Sequence, residues 1–243
     1  MIENLSPIVR SRPMDAEAEG EAVAVPGVDP RQRRHDAKHA RIVAEAWELA
    51  RRDGLAAISL RDLAERVDLR QPSLYAYFES KLALYDAMYA DGYRQLLEQA
   101  RALPPIDDPR EALIDFVEFC VRFATQDVVR HQLLFQRTIP GFKPSPASRE
   151  LSRGFLEIGR ERLVAVGAID EARGDGFVFT GIVAGFTNQQ VFNDPHGDRW
   201  LLLVRRVMEM FLADIDHRTK PLKEQKPSRP STRPRPKPNI RKH

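Results

Sequence analysis

The chain has 243 residues, 42% of them hydrophobic and 30% charged, with a formal net charge of +3; that is enough apolar side chain for a core in one large or two modest domains. A single cysteine, Cys120, excludes an intrachain disulfide and fits a reducing compartment. No apolar stretch of signal-peptide length follows the first basic residues, and no run reaches the roughly 18 apolar residues of a membrane span, so a cytoplasmic protein without a membrane partner is expected.

Charge is spread unevenly. Residues 1–30 carry two arginines against six acidic residues, are broken by prolines and show no sustained period, so they read as a disordered tail. Residues 217–243 carry ten Lys/Arg against one Glu in a Pro-basic pattern, "KPSRPSTRPRPKP". This segment cannot build a core and reads as an extended, solvated tail. Such a tail can add sequence-independent affinity for a phosphate backbone.

Between the tails the sequence predicts an all-α protein, with no convincing period-2 run. Residues 36–52 place Ile42, Ala46, Leu49 and Ala50 on one helical face, and Gly54 ends the helix. Ser59 then opens "SLRDLAERV", with Leu60, Leu63, Ala64 and Val67 inward and Asp62 three residues after the cap. A tight turn at Asp68-Leu69 leads to another short helix. Pro72 suits its first turn, where an amide hydrogen has no helical partner, and the helix is expected to run to about Tyr77. Ser80 caps a longer fourth helix, which ends near Leu103 at "LPPIDDP". Further helices are predicted near 109–126, 127–138, 146–166, 170–193 and 198–216, separated by "TIPGFKPSP", Gly167 and "NDPHGD". The pattern divides into a helical head, 31–92, and a larger helical body, 93–216, that share the fourth helix.

Two short helices joined by a tight turn, resting on a longer one, describe a helix-turn-helix over about 59–78. In such a unit the second helix enters the major groove of DNA and its N-terminal side chains reach base edges. Arg70 can pair bidentately with guanine, Gln71 with adenine, and Ser73 with either, while Pro72 and the Tyr75 ring offer apolar surface to a thymine methyl. Ser59, Tyr77 and Lys81 lie at helix ends, where hydroxyl, amide and ammonium groups can hold phosphates. Leu74 and Phe78 suit a core; Tyr75 equally suits packing between helices.

The stretch "ISLRDLAERVDLRQPSLYAYFESKLAL" resembles the helix-turn-helix of the TetR/AcrR transcriptional regulators. The resemblance rests on Ser59, on Leu63-Ala64, on Leu74-Tyr75-Ala76-Tyr77-Phe78 and on Lys81, and it covers about residues 36–90. Two positions depart from the family pattern. Asp68 stands where a turn glycine is usual, which is tolerable because Asp enters the left-handed region more readily than most residues. Arg70 stands where Ser is usual, which removes a cap and places a positive charge at a helix start. The resemblance implies a homodimer whose last two helices pair into a four-helix bundle. It also implies a repressor, located at the nucleoid, that leaves a palindromic operator in double-stranded DNA when a small-molecule effector binds in the body. An activator, or a regulator that works through a protein partner without an inducer, fits the same motif.

Within the body, Phe116, Phe119, Phe123, Phe135, Phe155 and Trp200 can line an apolar cavity, and Asn188, Gln189 or Gln190 can orient a ligand in it. Phe119, Phe123, Phe155, Asn188 and Gln189 are the ligand-binding candidates. Aromatics at helical spacing equally suit a core, and the Asn/Gln cluster equally suits a dimer interface. "DGFVFTGIVAGFTNQQVFND" is apolar on most sides, and its Gly181 and Gly185 permit close approach of another helix. No nucleophile elbow, phosphate loop or paired metal-ligand motif is present, so no catalytic residue, cofactor or metal is expected. Cys120 falls on an apolar face as a small hydrophobe. His131 and His196 have no partners at metal-ligand spacing, and "DPHGD" reads as a turn capping the last helix.

Overall fold

A computed structural model describes residues 29–168 and 174–219. The expected N-terminal tail up to residue 28 and the basic tail from residue 220 lie outside the described residues. All regular structure among the described residues is helical, and none of these helices is long and apolar enough to cross a membrane.

Helix α1 (Pro30–Asp53) begins six residues earlier than the sequence pattern predicts. Asp29 Oδ1 accepts the Arg31 amide at 2.9 Å, and Pro30 occupies the first helical position, so a cap-and-proline start lies in a segment that had read as tail. The helix stops at Gly54, whose φ of 88° no β-carbon-bearing residue adopts readily. A short 3₁₀ turn, Leu55–Ala57, leads to α2 (Leu60–Arg66). Ser59 caps α2 by accepting the Asp62 amide.

Helix α3 (Gln71–Leu74) is shorter than expected. After Leu74 the chain tightens, with Ala76 and Tyr77 amides bonding back three residues, and this carries Phe78 inward. Ser80 caps α4 (Lys81–Arg101), accepting the Ala83 amide at 3.1 Å.

The body is organised around α5 (Pro109–Gln126), which buries eight side chains and packs against every helix of the body. Asp127 has an extended backbone that ends α5, and its carboxylate caps α6 (Val128–Phe135) through the Arg130 amide. Gln136 returns to extended backbone, so α6 ends three residues before the predicted 138. Helix α6 lies close on α4: a β-carbon at Gly92 would meet Leu134 Cδ2 at 3.0 Å. Ser145 caps α7 (Pro146–Ala165), and Gly174, at φ 72°, precedes α8 (Asp175–Asn193).

Gln190 fixes the "DPHGD" turn that follows. Its Oε1 accepts the Trp200 and Leu201 amides at 3.0 Å each, and its Nε2 donates to the Asp194 and Gly197 carbonyls. A 3₁₀ turn, Leu201–Leu203, then leads into α9 (Val204–Thr219), which begins six residues later and ends three residues later than the predicted 198–216. Ion pairs Arg205–Glu111 and Arg218–Asp175 tie α9 to α5 and α8.

Candidate functional site

The α2–α3 turn is held from outside as well as by its own backbone. Asp68 has a φ of 57°, the left-handed conformation expected of a residue replacing glycine. Its carboxylate also accepts from Arg41 of α1 at 3.0 Å, and Arg66 pairs with Glu45 of α1 at the same distance. These exposed pairs fix geometry more than they add stability. The sequence reading did not identify Arg41, because nothing local connects it to a residue 27 positions away.

On this frame α3 faces two ways. Leu74 and Phe78 are buried at 2% and 5% exposure, and together with α2 and α4 they close the core of the head. Arg70, Gln71, Pro72, Ser73 and Tyr75 are all exposed. Among the described residues, Arg70, Gln71 and Ser73 have no side-chain hydrogen bond within the chain. Arg70 occupies the cap position without capping, as its replacement of serine implies. Tyr75 is 46% exposed, so nearly half of its surface is open to solvent. Tyr77 is half-buried against the core, and Ser59 is half-buried while capping α2.

Lys81 is placed differently from the others. Its Nζ donates to the Ala56 carbonyl at 2.8 Å and lies 5.7 Å from the centre of the Tyr85 ring. The Tyr85 hydroxyl donates to the Leu55 carbonyl, so both residues latch the start of α4 onto the 3₁₀ turn before α2. An ammonium has three donors, so Lys81 keeps capacity for a second acceptor.

Helices α7 and α8 each pack against α5, and between them lies a cavity of about 600 Å³. Phe116, Cys120 and Phe123 of α5, Phe155 and Leu163 of α7, and Phe179 of α8 supply most of its apolar wall. Of the five ligand candidates, Phe123, Phe155 and Asn188 line the cavity. Phe119 lies outside it, packed between Phe116 and Phe123 with ring centres 6.3 and 6.0 Å away. Gln189 is exposed, outside the lining, and accepts from Asn193 one helical turn on. Phe116 and Phe135 line the cavity, whereas Trp200 packs edge-on against Phe186 elsewhere. Burial pushes the Cys120 thiol up to about 12 and keeps it protonated.

One end of the cavity is polar. His131 Nε2 lies 3.1 Å from Asn188 Oδ1, which also accepts from Gln136 Nε2 at 3.1 Å. Burial holds the His131 ring below its ordinary pKa, which favours the neutral imidazole. Neither His131 nor Gln136 stood among the ligand candidates. A histidine without partners at metal-ligand spacing gives no local sign that it meets an asparagine 57 residues away.

The wall of the cavity is linked to the head. Asp127, which caps α6, accepts from Arg51 of α1 at 2.7 and 2.9 Å. Three residues on, Arg130 donates to Gln95 at 2.6 Å; Gln95 and Trp47 of α1 both donate to Asp91. Helix α6, which carries His131 and Phe135, is thus bonded at its N-terminus to the helix that supports α2 and α3.

These features have counterparts in known proteins. Residues 42–88 match the family of bacterial regulatory proteins called the tetR family. The class G tetracycline repressor of Vibrio anguillarum is 36% identical over 63 residues, 26% of this chain and 29% of that repressor's length. The fold is shared with the transcriptional regulator FadR from Bacillus subtilis, solved in complex with stearoyl-CoA (TM-score 0.58, 18% identity, 72% of this chain and 98% of that one). It is shared also with a TetR/AcrR family regulator from Thermobifida fusca (TM-score 0.54, 23% identity, 71% and 96%). Over residues 42–88, its helix-turn-helix, the chain is thus similar to the bacterial regulatory proteins of the tetR family, and it spans less than a third of the length of the tetracycline repressor it matches.

Proposed function

We propose that the chain acts as a homodimeric repressor whose head, residues 31–92, reads a palindromic operator, and whose body, 93–216, releases it when a small molecule enters the cavity. The observation that carries this reading is the outward set Arg70, Gln71, Pro72, Ser73 and Tyr75 on a helix anchored from behind by Leu74 and Phe78. Arg70, Gln71 and Ser73 contact base edges, with Pro72 and Tyr75 against thymine methyl groups. Ser59, Tyr77 and Lys81 hold the phosphate backbone.

A dimer is required to reach two half-sites about 34–36 Å apart. Support comes from the apolar groups that α8, the Leu201–Leu203 turn and α9 leave in solvent: Phe177 is 84% exposed, Leu202 69% and Met210 65%. A β-carbon at Gly181 or Gly185 would meet nothing within 4 Å inside the chain, so the open surface these glycines create suits a partner helix. Phe123, Phe155 and Asn188 contact the ligand. Related folds that hold stearoyl-CoA or minocycline lend the effector reading weight. Occupation of the cavity would move α6 and, through Asp127–Arg51 and Arg130–Gln95, tilt the head.

The test is selection of bound fragments from genomic DNA by the purified full-length protein. A palindromic site with one preferred half-site spacing is expected. Recovery of no preferred sequence would overturn the reading, and a site without two-fold symmetry would overturn the dimer.

A further inference from the structure

Apart from Thr180 and the ion-paired Arg153, Glu157 and Arg160, the polar lining of the cavity lies at the end formed by α6 and α8, and that end is incompletely bonded. Thr187 is 5% exposed and His131 4%, and both line the cavity. Thr187 Oγ1 and His131 Nδ1 are buried side-chain atoms without a hydrogen-bond partner. Asn188 Oδ1 can only accept, so His131 Nε2 carries the ring hydrogen and Nδ1 is left as a bare lone pair. Buried polar atoms in native proteins are nearly always paired, and leaving one unpaired is costly. Two such atoms, on residues that line one cavity, mark where a ligand's polar group belongs.

The requirements on that group are specific. It must donate to a neutral imidazole nitrogen and accept from a threonine hydroxyl. A hydroxyl group does both. An anion does not fit: a carboxylate has no hydrogen for Nδ1, and no cation lines this end. The charged lining residues, Arg153, Glu157 and Arg160, belong to α7, where Arg153 is paired with Glu150 and Arg160 with Glu157.

We propose that the cavity takes an uncharged, mainly apolar alcohol or phenol, its hydroxyl seated between His131 and Thr187 and its skeleton against Phe116, Phe123, Phe155 and Phe179. This rests on the cavity being the effector site, and the experiment separates the two claims. Purified full-length protein is titrated by calorimetry with para-heptylphenol and with its methyl ether, para-heptylanisole, which keeps the skeleton but cannot donate. The phenol should bind about tenfold more tightly than the ether. His131→Phe, which keeps a ring in place but removes the acceptor, should abolish most of that difference, while Thr187→Val, which removes the hydroxyl that both compounds can accept from, should weaken both. Equal affinities in the unaltered protein would overturn the hydroxyl assignment and leave the cavity as a ligand site. A His131→Phe protein that retains the full preference would overturn the assignment to His131, and a Thr187→Val protein that binds both compounds unchanged would overturn the assignment to Thr187. Binding of neither compound would overturn both the assignment and the cavity reading.

Discussion

Helices α3 and α5 divide their side chains in opposite ways. Within Gln71–Leu74 only Leu74 is buried, with Phe78 following it inward, whereas α5 buries eight side chains and meets every helix of the body. The outer side chains of α3 are therefore replaceable without loss of fold, so their chemistry is free to be set by what they touch. Those of α5 are constrained by their neighbours, and at the cavity its Phe116 and Phe123 rings face open volume.

The largest expected effect breaks this division from the head's side. Phe78→Ala removes a ring that is 5% exposed and packs 4.7 Å from the His39 ring, and should cost about 3–5 kcal/mol by chemical denaturation. A loss below about 1 kcal/mol would show that the ring is not the anchor of α3. The outer face should respond inversely. Gln71→Ala should leave stability within about 0.5 kcal/mol and remove about 1–3 kcal/mol of discrimination at one base pair. Lys81→Ala should weaken all operator sequences alike. Lys81 also latches α4 to the Ala56 carbonyl, so this variant alone of the two should lower the unfolding midpoint.

The connection between the two regions gives an intermediate effect. Asp127 both caps α6 and pairs with Arg51. Asp127→Ala removes both interactions and should cost about 1–2 kcal/mol of stability, of which the cap accounts for about 1 kcal/mol. Asp127→Asn keeps a capping oxygen and removes the charge, so most of the stability should return. If the pair transmits the state of the cavity, para-heptylphenol should weaken operator binding less in both variants, measured by fluorescence anisotropy of labelled DNA. Full release in Asp127→Asn would place the coupling elsewhere, for example in Arg130–Gln95.

The same contrast explains what could be read in the sequence. The head was legible nearly residue by residue because its signals are local: caps at Ser59 and Ser80, a left-handed turn residue at Asp68, and Leu74 and Phe78 one helical turn apart. The body was legible as helices and breaks. Its cavity was legible only in part, because whether a ring lines it depends on helices far away in sequence. Phe116 and Phe119 sit on the same apolar helix, yet Phe116 faces the opening beside Phe155 and Gly159, while Phe119 is closed between its neighbours. Gln189 and Gln190 are adjacent, and their roles differ because the 100° step between residues turns one outward and the other onto the turn before α9.

The smallest expected effect sharpens the comparison at a single position. Arg70 holds the cap of α3 without capping it, a cost the α5 cap, Asp108, does not carry because its carboxylate accepts the Arg110 amide. Arg70→Ser should therefore stabilise the head, though by little. The second residue of α3 is Pro72, which has no amide hydrogen, and the Ser73 amide already donates to the Arg70 carbonyl at 2.9 Å. A serine hydroxyl could only share that one donor, so the gain should be about 0.5 kcal/mol, at the low end for a cap. The same substitution removes the only positive charge at the start of this helix. Binding to the selected operator should fall while stability rises, and the preference at the base pair facing Arg70 should be lost. A variant that is more stable and binds the operator unchanged would show that Arg70 lies outside the reading surface, leaving Gln71 and Ser73 to set the sequence.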